Sequence, residues 1–125
     1  MKQLTLLVCL FVVSLFQLSC KKEEKDTKVQ IRARNASSYQ FEAVQVLMPS
    51  GQHAYGTVSA GQSSDYATYS EAFSYAAVKV KINGQDLEWI PTDYVGETPL
   101  QPGKYTYVVG VTDIANGRLS LRLEQ

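Results

Sequence analysis

The chain has 125 residues, with 12 Lys and Arg against 12 Asp and Glu, and a single histidine. Zero net charge with no basic stripe argues against nucleic acid, whose phosphates need clustered Lys and Arg to neutralise them. One histidine excludes a two-histidine metal site. Both cysteines, Cys9 and Cys20, lie at the amino-terminal end, so the remaining chain offers neither a disulfide nor a thiolate nucleophile.

Met1-Lys2 is a short positive start, and residues 4–16 are almost unbroken hydrocarbon. That run is too short for a bilayer span, which needs roughly 20 apolar residues, and reads instead as a secretory h-region. Leu18-Ser19-Cys20 follows, then the wholly charged Lys21-Lys22-Glu23-Glu24-Lys25-Asp26. Gln17-Leu18-Ser19 lacks the small residues at alternate positions that an ordinary signal peptidase requires. The segment resembles the lipobox of Bacteroidetes-type outer-membrane lipoproteins, although Gln17 stands where that box usually has an aliphatic residue. The resemblance implies that residues 1–19 are cleaved and that the Cys20 thiol is acylated. Two or three acyl chains anchor a protein stably where one does not. Lys21 after the cysteine favours delivery to the outer membrane, and Lys22-Glu23-Glu24 is similar to the export signal that carries such lipoproteins to the cell surface. Residues 20–28 would then be an acylated tether. Its eight residues beyond Cys20 reach about 26 Å when fully extended, at roughly 3.3 Å per residue.

From Val29 the pattern changes to period two, and residues 29–125 read as one β domain. Val29, Ile31 and Ala33 alternate with Gln30, Arg32 and Arg34, as in a strand with one wet face. Residues 35–38 form a turn. A second strand over residues 41–48 places Val44, Val46 and Met48 on one side. Pro49-Ser50-Gly51 turns the chain, and residues 53–58 return with Tyr55 facing the core. After a turn at residues 60–64, residues 65–74 fit no period and are expected to hold one short strand plus irregular chain.

Residues 76–91 carry the strongest local signal. Asn83-Gly84 is the preferred pair for a type I′ hairpin, because both positions need positive φ. That loop sets Ile82 against Gln85, Val80 against Leu87 and Val78 against Trp89, with Lys81 and Lys79 facing Asp86 and Glu88 on the other side. A slip of one residue would mix the two faces, so the register is specified. Pro91 ends the strand, and residues 93–99 form a connection. Beyond it, Leu100-Gln101-Pro102-Gly103-Lys104-Tyr105 is similar to the tyrosine corner of fibronectin type III and related sandwiches, which implies that the Tyr105 hydroxyl bonds to backbone a few residues upstream. For the last hairpin, a three-residue loop with Gly117 left-handed sets Val111 against Leu121 and Val109 against Leu123. Seven or eight short strands without helical period predict an all-β fold, a small antiparallel β-sandwich of immunoglobulin or fibronectin type.

No constellation for catalysis stands out. His53 has no Gly-x-Ser-x-Gly partner motif. Asp86 and Glu88 already face lysines, and Asp93 and Glu97 lack any calcium-loop spacing. Neither metal nor other cofactor is expected. The aromatic residues are the candidates for binding: Tyr66, Tyr69, Tyr75 and Tyr94 could stack on sugar rings, while Tyr105 is structural. Tyrosine is also a favoured strand residue, so placement in the core competes with that reading. The sequence therefore points to a non-enzymatic lipoprotein, held in the outer membrane through Cys20 and serving as a binding or assembly module for an envelope protein or glycan. A structural component pairing through a sheet edge is the alternative. A small glycan or cell-wall hydrolase using His53 or Glu97 is a third reading with no motif behind it.

Overall fold

In the computed structural model, which describes residues 28–92 and 97–125, Asn83 and Gly84 take φ of 47° and 77°. They join β5 (Ala77–Ile82) to β6 (Gln85–Trp89) in the register read from the sequence, Val78 opposite Trp89, Val80 opposite Leu87 and Ile82 opposite Gln85. Val78, Val80, Ile82 and Leu87 are all buried. Lys79 reaches Glu88 at 3.8 Å on the wet face, while Lys81 stands opposite Asp86 without closing to an ion pair. The leader, Cys20, most of the tether and Tyr94 lie outside the described residues.

Six further strands complete the sheet: β1 (Val29–Asn35), β2 (Ala43–Met48), β3 (Gly51–Ala54), β4 (Ala67–Tyr69), β7 (Gly103–Asp113) and β8 (Arg118–Glu124). Among the described residues there is no helix, and so none long and apolar enough to cross a membrane. The strands form one sheet in the order β3-β2-β5-β6-β8-β7-β1-β4. The fold is all-β with eight strands, but it is a single mixed sheet where two antiparallel layers were expected. β1 runs parallel to β7 from Val29↔Gly103 to Asn35↔Val109, and β6 meets β8 in parallel at Glu88↔Arg118. A parallel pair needs a long crossover, usually a helix. Here β2 to β6 supply it, so the lack of a helix did not forbid parallel pairing.

The sheet curls until its two edge strands meet through side chains. Tyr55 and Tyr69 hydroxyls are 2.9 Å apart, the His53 and Tyr69 rings lie edge-on at 6.4 Å, and Ser50 Oγ donates to the Glu71 carbonyl at 2.7 Å. Eight strands is the size at which side chains can fill a barrel interior. Ile31, Phe41, Val44, Val46, Tyr107 and Val109 fill this one. The Tyr107 hydroxyl is satisfied by the Phe73 carbonyl at 2.6 Å. Asn35, fully buried, donates through Nδ2 to the carbonyls of Tyr39 (2.6 Å) and Val58 (3.0 Å), and its Oδ1 accepts from the Ser37 backbone N–H at 2.9 Å. One amide thus ties the end of β1 to the loop that crosses the barrel mouth.

The last hairpin differs from expectation in register but not in facing. Val109 pairs with Leu121 and Val111 with Leu119, two residues from the predicted partners. The loop has four residues, 114–117, because Asp113 accepts from Asn116 through backbone N–H (3.1 Å) and side-chain amide (2.7 Å), fixing the turn before Gly117. A shift of two preserves parity, so the apolar face stays inward.

Candidate functional site

The outward face of β2, β5 and β6 should be wet, and over most of its length it is. At one end it is not. Leu47 pairs with Ala77, and Ile90, one residue past Trp89, continues the row beyond the Val78–Trp89 pair. Inward Leu87 and Trp89 put Ile90 on the outer side by parity, and Pro91, which cannot donate to a ladder, ends the strand there. Leu47 is 37% exposed and Ile90 66%. Three apolar residues on adjacent strands therefore face solvent together.

Depressions flank Ile90 on both sides. One, of about 210 Å³, runs between Leu47 and Ile90 and is bordered by the Lys79–Glu88 ion pair. The other, of about 330 Å³, is formed by Tyr75, Trp89, Ile90, Pro91 and Thr92. Tyr75 and Trp89 stand edge to face at 6.0 Å, with rings 65° apart, and Tyr75 Oη donates to Glu97 Oε1 at 2.6 Å. The first is smaller than ordinary small-molecule pockets and the second lies near their lower end, about 300 Å³. Together they make an aromatic and aliphatic groove with one carboxylate and one ion pair at its rim.

The tyrosines proposed from the sequence do not form one platform. Tyr75 lines the groove. Tyr69 is buried on β4 with its hydroxyl on Tyr55, so it cannot stack on a ligand. It faces inward because β4 is only three residues long and Ala67 and Tyr69 share its inner side. Tyr66 is 39% exposed, but its ring is engaged by Arg32, whose guanidinium carbon is 5.1 Å from the ring centre, and by Lys104, whose Nζ is 5.3 Å from it. Tyr94 lies outside the described residues. Tyr105 is buried and its hydroxyl donates to the Gln101 carbonyl at 2.8 Å, four residues upstream. Sequence reasoning passed over Leu47 and Ile90. Leu47 carried a readable signal, being an apolar residue out of phase with Val44, Val46 and Met48.

Burial raises the phenol pKa values of Tyr55 and Tyr69 above the ordinary value. Glu124 is held below the usual carboxylate range, first by its hydrogen bond from Arg122 and further by the charges of Arg122 and Arg34. His53 stacks edge-on against Tyr55 at 4.6 Å. Among the described residues, no three His, Cys, Asp or Glu side chains converge as metal ligands.

No family model matches the chain, and no curated protein matches it. Among solved structures, the NMR structure of a protein from Eubacterium rectale is similar, with a TM-score of 0.56 at 10% identity over 81% of this chain and 93% of that one. At that identity the likeness is one of fold alone.

Proposed function

We propose that the chain is a non-catalytic binding module, anchored in the bacterial outer membrane by acylated Cys20 and facing the cell surface, and that it holds an envelope protein partner at the Ile90 groove. The anchor is supported by the short apolar leader, by Leu18-Ser19-Cys20 and by the charged tether. The groove is supported above all by Ile90, two-thirds exposed between Leu47 and the Tyr75–Trp89 pair. A lone exposed apolar residue is ordinary, but a contiguous apolar row rimmed by charge marks interaction sites. Aliphatic lining beside the aromatic pair suits an apolar side chain of a protein segment better than a sugar ring. Kinship with immunoglobulin or fibronectin sandwiches is supported only by the Tyr105 corner, and the parallel β1–β7 pair departs from it.

The test is photo-crosslinking in intact cells with p-benzoylphenylalanine in place of Ile90, and in place of Gln62 as a remote control. The expected result is one discrete protein adduct from the Ile90 position alone. A polysaccharide adduct would move the ligand to the glycan class, and equal labelling from both positions would remove the groove from the reading.

A second reading has its own observation. β3 pairs only with β2, ends the sheet and exposes all four of its residues. Such an edge is a template for an added strand, and crosslinking from Gln52 would report it.

A further inference from the structure

The outward side of β1, β7 and β8 carries an excess of positive charge. Alternation places Arg32 and Arg34 of β1, Lys104 of β7 and Arg122 of β8 on this face, with Glu124 the carboxylate shared by Arg34 (2.6 Å) and Arg122. The stems of these residues cover the centre of the sheet, where Thr106 and Val108 are buried although they point outward, and Arg32 Nε donates to Thr106 Oγ1 at 3.0 Å. Among the described residues, Arg32 and Lys104 have no carboxylate within ion-pair distance. Both lean instead on the Tyr66 ring, at 5.1 and 5.3 Å. The ring's negative face attracts each cation, but two positive groups converging on one ring repel each other. An anion between them would relieve that repulsion. The β5–β6 half of the barrel differs, since Lys79 pairs with Glu88 and Lys81 faces Asp86.

The place of this face matters as much as its charge. Lys104 stands opposite Gln30, and the Gly103 N–H donates to the Lys28 carbonyl at 3.1 Å. The unpaired cations therefore sit where the chain leaves the domain towards Cys20, through a tether of at most about 26 Å. We propose that the Arg32–Tyr66–Lys104 cluster docks this face on the phosphate groups of anionic lipid headgroups in the membrane that holds the anchor, fixing the domain's orientation and leaving the Ile90 groove on the opposite side of the curled sheet, on β5 and β6. The proposal rests on the anchored reading above for its geometry.

The test is lysine-acetylation footprinting of the mature chain on vesicles of phosphatidylcholine alone or with phosphatidylglycerol. Any acyl chains insert into both, so the difference between the two reads the face alone, while the mass of the amino-terminal peptide reports acylation separately. Lys104 is expected to be protected on the anionic vesicles and not on the neutral ones, with Lys81 reacting equally on both. Protection should disappear near 0.5 M salt, where screening acts within about 4 Å. Arg32→Gln, which keeps a donor for Thr106, should reduce Lys104 protection about fivefold, and Lys81→Gln should leave it unchanged. Equal protection on both vesicles would overturn the proposal. So would protection by inorganic phosphate on neutral vesicles to the same degree, which would make the cluster a small-anion site.

Discussion

The hydroxyls of Tyr55 and Tyr69 meet at 2.9 Å across the seam where the first and last strands of the sheet approach, and Tyr55 also donates to the Ile31 carbonyl at 2.7 Å. A hydroxyl has one proton, so Tyr55 spends its own on Ile31 and accepts from Tyr69. The two residues are then unequal. Tyr55→Phe leaves both the Ile31 carbonyl and the Tyr69 hydroxyl without this partner, and should cost about 2–3 kcal/mol. Tyr69→Phe leaves only an acceptor lone pair unfilled and should cost about 1 kcal/mol. Urea midpoints of the two variants check the order, and the reverse order would reverse the assigned direction of the chain.

The same pair makes the fold sensitive to base. Burial holds both phenols protonated above their ordinary value, which is about 10. As pH rises, the unfolded chain therefore releases these protons first. Their contribution is intact below about pH 10 and is lost above it as pH climbs towards the folded values. Denaturant midpoints measured between about pH 8 and 11 should fall at the alkaline end in the native chain. The fall should be shallower in the double variant Tyr55→Phe, Tyr69→Phe, which starts from a lower plateau.

Asn35 offers a test of the buried network at the barrel mouth. Its amide nitrogen donates to two carbonyls and its oxygen accepts from Ser37. Asn35→Asp keeps the shape but removes both donations and sets an oxygen, charged unless it takes up a proton, against the Tyr39 and Val58 carbonyls. The expected cost is about 3 kcal/mol or more. Asn35→Ser, which loses reach without adding charge, should cost less. A calorimetric Tm for each variant decides it, and equal losses would show that the amide only fills space.

What the sequence made legible follows from distance along the chain. The β5–β6 hairpin was readable because Asn83-Gly84 and the alternation of Val78, Val80 and Ile82 constrain each other within a dozen residues. The Tyr105 corner was readable because its motif is contiguous. The parallel β1–β7 pair was not, since alternation is the same in parallel and antiparallel strands and the partners are far apart in sequence. In the last hairpin the facing was readable, while the register depended on bonds from Asp113 to Asn116 that no period encodes. The groove was missed because Ile90 follows the strand's last periodic residue and its partner Leu47 is one out-of-phase side chain. Tyr69 illustrates the opposite case, an aromatic residue in an unreadable stretch that the seam draws inward.

The hairpin turn can be tested apart from any contact. Gly84 has φ of 77°, and a Cβ built there meets nothing within 4 Å. Gly84→Ala should still destabilise by about 1–2 kcal/mol, the cost of left-handed backbone for a residue with a side chain. Asn83→Gly should be close to neutral, because glycine takes the required φ freely. Chemical denaturation of both variants measures this, and a neutral Gly84→Ala would mean that the loop adopts another turn type.

Asp113 sets the behaviour in acid. Its carboxyl is held below the usual aspartate range, first by the Asn116 side-chain amide, then by the Asn116 backbone N–H, with smaller contributions from Ala115 and Arg118. A depressed folded value means that the unfolded chain takes up the proton first as pH falls. The contribution is therefore complete above the ordinary aspartate value of about 4 and disappears as pH drops through the folded value below it. Asp113→Asn keeps an acceptor for the Asn116 backbone N–H but binds no proton in this range. Guanidinium midpoints across the acid limb should show the native chain ahead of this variant at neutral pH, with the gap closing below about pH 4. Glu124 contributes to the same limb through Arg122, so the difference between the two proteins, not either slope alone, isolates the turn. A gap that stayed constant down to the lowest pH would show that the carboxylate's charge plays no part in fixing the four-residue loop.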